Sequence, residues 1–83
     1  MTPTPRQLEV VCALANGLTP RAIAALLFVE HSSVANHVAQ ARERCGAVTT
    51  AQLVAMCAGR GLIVERGDGF VIASLVAGRE AAS

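Results

Sequence analysis

The chain has 83 residues, of which 53% are hydrophobic. It contains seven arginines, no lysine and six acidic residues, which give a formal net charge of +1. This length predicts one small domain, and the balanced charge excludes the broadly basic surface of a nonspecific nucleic-acid binder. No uncharged apolar run approaches the roughly 20 residues of a membrane span, and no apolar signal segment opens the chain, so we expect a cytoplasmic protein. A domain this small buries only about 60% of its unfolded surface, which favours association with a partner subunit.

The residue types that support catalysis or metal binding are few and scattered. Cys12, Cys45 and Cys57 lie far apart in apolar runs without the spacing of zinc ligands, so we predict reduced cysteines in the core. No nucleophile has a base nearby by motif, no glycine-rich loop is spaced to hold a phosphate, and no carboxylates are paired. The sequence therefore predicts neither an enzyme nor a bound metal or cofactor.

Two helix starts with the same chemistry open the chain. Thr4-Pro5 and Thr19-Pro20 each place a capping hydroxyl before a proline that fits the first helical position. Apolar residues recur at helical spacing in the first helix until Asn16-Gly17 supplies a left-handed stop. The second helix is short and ends where Phe28-Val29 turns the chain.

A third helix, at about residues 31–45, combines a buried stripe with a polar face. The apolar residues of the stripe recur at steps of four, three and four, and Gly46 ends the helix. They are Val34, Val38, Ala41 and Cys45. The opposite face is mainly uncharged, with Arg42 and Arg44 on its flanks. Because no other predicted helix has so polar a face, this is the candidate binding surface.

A fourth helix begins at Thr49 or Thr50, which offer a cap, and closes near Gly59 or Gly61. Its apolar residues occupy more than one face, so we expect it to pack both on its own core and on a partner. The residues expected at that contact are Leu53, Val54, Met56 and Cys57.

The last segment, residues 64–83, changes period. Two β-branched runs flank Gly67-Asp68-Gly69, which favours a β-hairpin, and a short helix from Phe70 to Ala77 is the competing interpretation. Such a hairpin resembles the wing of a winged-helix protein, which would place Arg66 beside the third helix and its candidate binding surface. Alternatively, the strand from Phe70 to Val76 would pair with its copy in a second subunit, which we favour because this strand is too apolar to leave in water.

Residues in a fixed order and spacing run through the four predicted helices. They are Thr4, Arg6, Glu9, Val10, Leu14, Gly17, Leu18, Thr19, Ile23, Ala24, Leu27, Phe28, Val29, Val34, Asn36, His37, Val38, Arg44, Gly46, Gly61 and Leu62. With them, residues 4–63 resemble the LuxR/GerE-type helix-turn-helix of bacterial response and quorum regulators. The resemblance implies a mainly α fold with four helices over residues 1–63. Its second helix would cross the DNA backbone, its third would enter the major groove, and its fourth would make the dimer contact.

Four positions depart from the pattern of that family. Ala35 stands where the family usually has a DNA-contacting lysine, and Ala39 where it often has a cation or a polar residue. Glu30 replaces the usual Ser or Asp cap with a charge that repels phosphate, and Thr50 replaces a frequent arginine. With so few cations left, we expect a shallow salt dependence, in which log affinity falls by roughly 0.9 per phosphate contact in each subunit.

The expected DNA contacts lie on the third helix, with one on the second. They are Arg21, Ser32, Ser33, Ala35, Asn36, His37, Ala39, Gln40, Arg42 and Arg44. Asn36 is the leading candidate for base readout, because its amide can bond N6 and N7 of adenine, and Gln40 has the same chemistry one turn later. The alternative is a solvated helix face, with His37 in a structural role.

These features predict a stand-alone transcriptional regulator that binds a repeated site in double-stranded DNA as a homodimer. Another regulator or RNA polymerase is a further candidate partner. The alternative is a protein interaction module on the same scaffold, with weak or no DNA binding, whose alanine-rich third helix contacts another protein. Substitutions on the third helix distinguish the two hypotheses.

Overall fold

The computed structural model, which describes residues 1–76, is mainly α. Its helices are α1 (Pro5–Ala15), α2 (Pro20–Leu27), α3 (His31–Cys45) and α4 (Thr50–Gly59), and they are followed by strands β1 (Ile63–Arg66) and β2 (Gly69–Ile72). The strands pair as an antiparallel hairpin, and residues 73–76 form a helical turn after it. The predicted four helices and hairpin are confirmed.

The competing helix from Phe70 to Ala77 is wrong in its first part. Phe70 lies within β2, helical backbone begins only at Ala73, and Ala77 lies outside the described residues. The strand expected from Phe70 to Val76 for pairing with a second subunit is also shorter than predicted. An extended segment from Phe70 to Val76 does not form, because β2 ends at Ile72.

Local capping chemistry sets the helix starts. The N–H of Gln7 donates to Thr4 Oγ1 over 3.2 Å and the N–H of Thr4 donates to Gln7 Oε1 over 3.0 Å, a reciprocal capping box at the start of α1. The hydroxyls of Thr19 and Thr49 likewise accept a backbone N–H in the first turns of α2 and α4. The predicted starts of α1, α2 and α4 are therefore confirmed, and so is their predicted cause, capping by a threonine hydroxyl.

Helix α1 lies at the centre of the fold, between two hydrophobic clusters. One cluster joins α1, α3, α4 and β1 through Leu8, Val11, Cys12, Ala41, Cys45, Leu53, Cys57 and Ile63. The other joins α1, α2 and α3 through Val10, Ala13, Ile23, Ala24 and Val34. Val38 packs against both, so the predicted stripe of α3 does face the core. All three cysteines are free and buried, as predicted.

The hairpin is fastened to α1 by side chains that hydrogen-bond the backbone of Phe70: Cys12 Sγ donates to the Phe70 carbonyl over 3.2 Å, and Asn16 bonds both its N–H and its carbonyl. Asn16 Oδ1 accepts the N–H of Phe70 over 2.6 Å, and Asn16 Nδ2 donates to the carbonyl of Phe70 over 3.0 Å. The approach is so close that a Cβ at Gly69 would collide with Asn16 Oδ1. The turn between the strands begins with Gly67, whose φ of +59° favours glycine. With β2 packed on α1 and β1 on α4, the outward face of α3 stays uncovered.

Candidate nucleic-acid interface

The outward face of α3 is exposed along most of the helix. It lies opposite the buried stripe, in which Val34 and Ala41 are at most 1% exposed. The exposed residues are His31, Ser32, Ala35, Asn36, Ala39, Gln40 and Glu43. This face is polar and nearly uncharged, so it can offer hydrogen bonds and methyl groups to a groove but little electrostatic attraction.

The residues predicted to contact DNA divide by exposure. Arg21, Ser32, Ala35, Asn36, Ala39 and Gln40 are exposed, whereas Ser33, His37, Arg42 and Arg44 are half-buried. Arg21 lies in the first turn of α2, and the other nine residues are on α3. The fold thus brings nine of the ten together on one helix, five of them on its exposed face.

The arginines on the flanks of α3 are engaged within the protein. Arg42 Nη1 donates to the carbonyl of Val48 over 3.2 Å, and its Nε is buried without a hydrogen-bond partner among residues 1–76. Arg44 Nε donates to the carbonyl of Thr2 over 3.1 Å. By contrast, Arg21 is exposed and has no hydrogen-bond or ion-pair partner in that part of the chain. Of the arginines predicted to contact DNA, Arg21 therefore has the freest guanidinium.

The turn between α2 and α3 contains two unusual residues. Phe28 ends α2 in the left-handed region, at φ 57° and ψ 42°, and its side chain is 95% exposed. Glu30 is the N-cap of α3 but accepts no backbone N–H with its side chain. The first N–H groups of α3 consequently lack the capping that Thr4 gives to α1. The sequence indicated the poor cap but not the conformation or exposure of Phe28.

A buried amide contacts the exposed face from behind. Gln7, on α1, is 4% exposed, and its Nε2 donates to Gln40 Oε1 over 3.3 Å. Sequence reasoning missed this residue as part of the site. The spacing of Thr4 and Gln7 does fit a capping box, but nothing local in the sequence places Gln7 against a residue that follows 33 positions later.

The residues predicted to form a dimer contact on α4 also divide. Leu53 and Cys57 are 0% exposed within the core of their own protomer, where no second subunit can reach them. Val54 and Met56 are half-buried and pack against the same cluster. The exposed residues of α4 are instead Thr50, Ala51, Gln52, Ala55, Ala58 and Gly59. Any contact through α4 would therefore involve these residues, most of which are small.

Titratable and metal-binding groups offer no separate site in the described residues. Burial raises the pKa of the Cys57 thiol from 9.0 to about 11, with a smaller contribution from the neighbouring Cys45 and an opposing one from Arg60. Burial also raises the pKa of Cys12. Within residues 1–76 no three His, Cys, Asp or Glu side chains are grouped to hold a metal ion, and no helix is long and apolar enough to cross a membrane.

Residues 2–57 match the family described as bacterial regulatory proteins, luxR family. Comparison with curated proteins gives no match. The matched segment contains α1, α2, α3 and most of α4, which are the elements that build and support the exposed face, whereas the hairpin lies beyond it. The chain therefore belongs to the luxR family of bacterial regulatory proteins, a family of DNA-binding helix-turn-helix regulators.

Proposed function

We propose that this protein is a sequence-specific transcriptional regulator that binds double-stranded DNA as a homodimer, with α3 in the major groove. The observation that carries the proposal is the uncovered polar face of α3 in a luxR-family fold. The major groove admits one helix, and the side chains on the outward face of that helix meet the base edges.

Asn36 is the proposed base-reading residue. It is exposed near the middle of the outward face, and no residue of the described chain occupies its amide. A bidentate contact with N6 and N7 of adenine discriminates against other bases by about 1–3 kcal/mol. The methyl groups of Ala35 and Ala39, on the same face, would pack against thymine methyl groups.

The proposed phosphate contacts are few. Arg21 is exposed and unpartnered within residues 1–76, whereas the guanidinium groups of Arg42 and Arg44 already donate to backbone carbonyls. One protomer would therefore bind weakly. A homodimer that places two α3 helices about one helical turn apart on the same DNA face supplies the missing affinity.

Selection from a randomised duplex pool, followed by fluorescence anisotropy on the selected sites at low and physiological salt, tests this proposal. We expect Asn36→Ala to weaken binding to the selected site by about 1–3 kcal/mol. Arg21→Ala should instead weaken binding to all duplexes and reduce the slope of log affinity against log salt by about 0.9 per subunit. Ser74→Ala, at an exposed position outside the helices of the interface, is the matched control.

A protein interaction module is the second candidate, and the exposed pair Ala35 and Ala39, with no cation between them, favours it. Under this function no duplex binds above background even at low salt, and Asn36→Ala has no effect. Ala35→Glu or Ala39→Glu would then disrupt a contact with another protein. Failure of wild type to bind any duplex would overturn the DNA-binding proposal in favour of this one.

A further inference from the structure

The orientation of the exposed Gln40 amide is determined by a chain of hydrogen bonds that starts in the backbone. The N–H of Thr4 can only donate, so the atom of Gln7 that it contacts at 3.0 Å must be the oxygen, Oε1. The other terminal atom of Gln7 is then Nε2, a donor. Because this donor lies 3.3 Å from Gln40, the facing atom of Gln40 must be its oxygen.

This chain leaves Gln40 with its NH₂ group on the outward side. Gln7 is 4% exposed, so its amide has little water to bond with and its orientation is held by the capping box. Reversing Gln40 would place its NH₂ against the NH₂ of Gln7, two donors with no acceptor between them. A buried donor left without a partner is costly, so the orientation seen here is favoured.

We propose that Gln7 is a positioning residue for specificity. By fixing Gln40 as an outward-facing donor, it selects a hydrogen-bond acceptor on the DNA, either a purine N7 or guanine O6 in the groove or a phosphate oxygen. This rests on the proposed function of α3. It also alters the sequence-based expectation for Gln40, since a bidentate contact with adenine requires the Gln40 oxygen to face the base as well.

The substitution Gln7→Glu tests the proposal while keeping the size of the side chain and its bond to Thr4. A glutamate retains the acceptor for the Thr4 N–H, and it is a standard residue of a capping box. Its second oxygen cannot donate, so Gln40 must turn its NH₂ inward and present its oxygen to the DNA. The variant therefore turns Gln40 from an outward-facing donor into an outward-facing acceptor without changing any residue of the exposed face.

The DNA measurement is a double-mutant comparison on the duplex selected by wild type. We expect Gln7→Glu to weaken binding by about threefold to tenfold, the size of one net hydrogen bond. In a Gln40→Ala background there is no amide to reorient, so any remaining loss of affinity on Gln7→Glu comes from the added negative charge alone. Thermal unfolding of each variant monitors the fold.

Two further arms distinguish the source of the acceptor. If the acceptor is a base, Gln7→Glu changes the preferred base at one position of the site, towards cytosine N4 or adenine N6 donors. If it is a phosphate, the base preference is unchanged, and a methylphosphonate at one backbone position removes the difference between wild type and Gln40→Ala.

A measurement without DNA keeps this inference separate from the proposed function. In wild type, exchange of the side-chain amide protons should be slow for Gln7 and fast for Gln40. In the Gln7→Glu variant, exchange of the Gln40 amide protons should become slower, because its NH₂ now donates inward. Fast exchange at Gln40 in both proteins would overturn the positioning role. So would a loss of DNA affinity on Gln7→Glu that is equally large in the wild-type and Gln40→Ala backgrounds. If the exchange pattern holds but wild type binds no duplex, the orientation stands and the proposals that use it for DNA fail.

Discussion

The thiol of Cys57 links burial to the pH dependence of stability. Cys57 is 0% exposed, and burial raises its pKa from 9.0 to about 11. In the unfolded chain the thiol ionises near its ordinary pKa, whereas in the folded protein it stays protonated until the higher value is reached. The contribution to stability is therefore fully present below about pH 9 and is lost as the pH rises towards about 11.

We predict that the free energy of unfolding, measured by chemical denaturation across this alkaline range, falls as the pH rises through it. Cys57→Ala should lower stability at neutral pH, because it removes a packed sulfur, but should flatten the alkaline decline. Some decline should remain, because the pKa of Cys12 is also raised. An equally steep decline in the variant would show that Cys57 is not a source of the pH dependence.

At the level of helices, the start of α3 is the weakest of the four. Its N-cap, Glu30, makes no side-chain hydrogen bond to the helix, unlike the threonines that cap α1, α2 and α4. We predict that Glu30→Ser stabilises the protein by about 1 kcal/mol by accepting one of the free N–H groups. A domain of this size should then melt about 4–8 °C higher.

The effect of the cap can be separated from that of the charge. Glu30→Gln removes the negative charge, which favours the helix N-terminus, without supplying a short capping side chain, so it should not raise the melting temperature, while both variants strengthen DNA binding. Equal melting temperatures for Glu30→Ser and Glu30→Gln would contradict the capping argument.

Asn16 makes two of the three side-chain hydrogen bonds that α1 and its C-cap form with the backbone of Phe70, and the third comes from Cys12 Sγ. With its N–H and carbonyl occupied, Phe70 cannot pair with a further strand, so Asn16 also protects the edge of β2. We predict that Asn16→Ala destabilises the hairpin by about 1–2 kcal/mol, seen as faster hydrogen exchange at the Phe70 amide.

Asn16→Asp serves as the matched variant for this prediction. Aspartate still accepts the Phe70 N–H but cannot donate to the Phe70 carbonyl, so its effect should lie between those of wild type and Asn16→Ala. Unchanged exchange at Phe70 in both variants would mean that packing of β2 on α1 holds the hairpin without this side chain.

The sequence predicted those elements whose causes are local. Thr4, Thr19 and Thr49 cap helices a few residues away, and the stripe on α3 follows from helical spacing, so both could be read from short segments. The contact between Asn16 and Phe70 joins residues 54 positions apart and has no local pattern. For the same reason the sequence could not show that Gln7 contacts Gln40, which is 33 positions away.

The two faces of α4 show a second limit. The residues from Leu53 to Cys57 form an unbroken apolar run, so periodicity alone does not identify the inner face of α4. Only the positions of α1, α3 and β1 assign Leu53 and Cys57 to the protomer core and leave Ala55 outside.

For the whole molecule, the proposed homodimer requires a surface that joins two protomers. One candidate is the outward face of α4, centred on Ala55, and the other is the segment after β2, where Leu75 is 63% exposed. The covered edge of β2 at Phe70 opposes strand pairing in the second case. We therefore predict that α4 makes the contact. The mass in solution should be twice 8.5 kDa for wild type.

Ala55→Glu places a charge at the centre of the α4 surface, and Leu75→Glu does the same in the C-terminal segment. By sedimentation velocity, we expect the first variant to be a monomer and the second to remain a dimer. The monomer should also lose most of its affinity for the repeated site while binding a single half-site as wild type does, because only the link between two binding events is broken. A monomeric Leu75→Glu with a dimeric Ala55→Glu would move the interface to the C-terminal segment. Wild type that is monomeric both free and on the repeated site would contradict the homodimer itself.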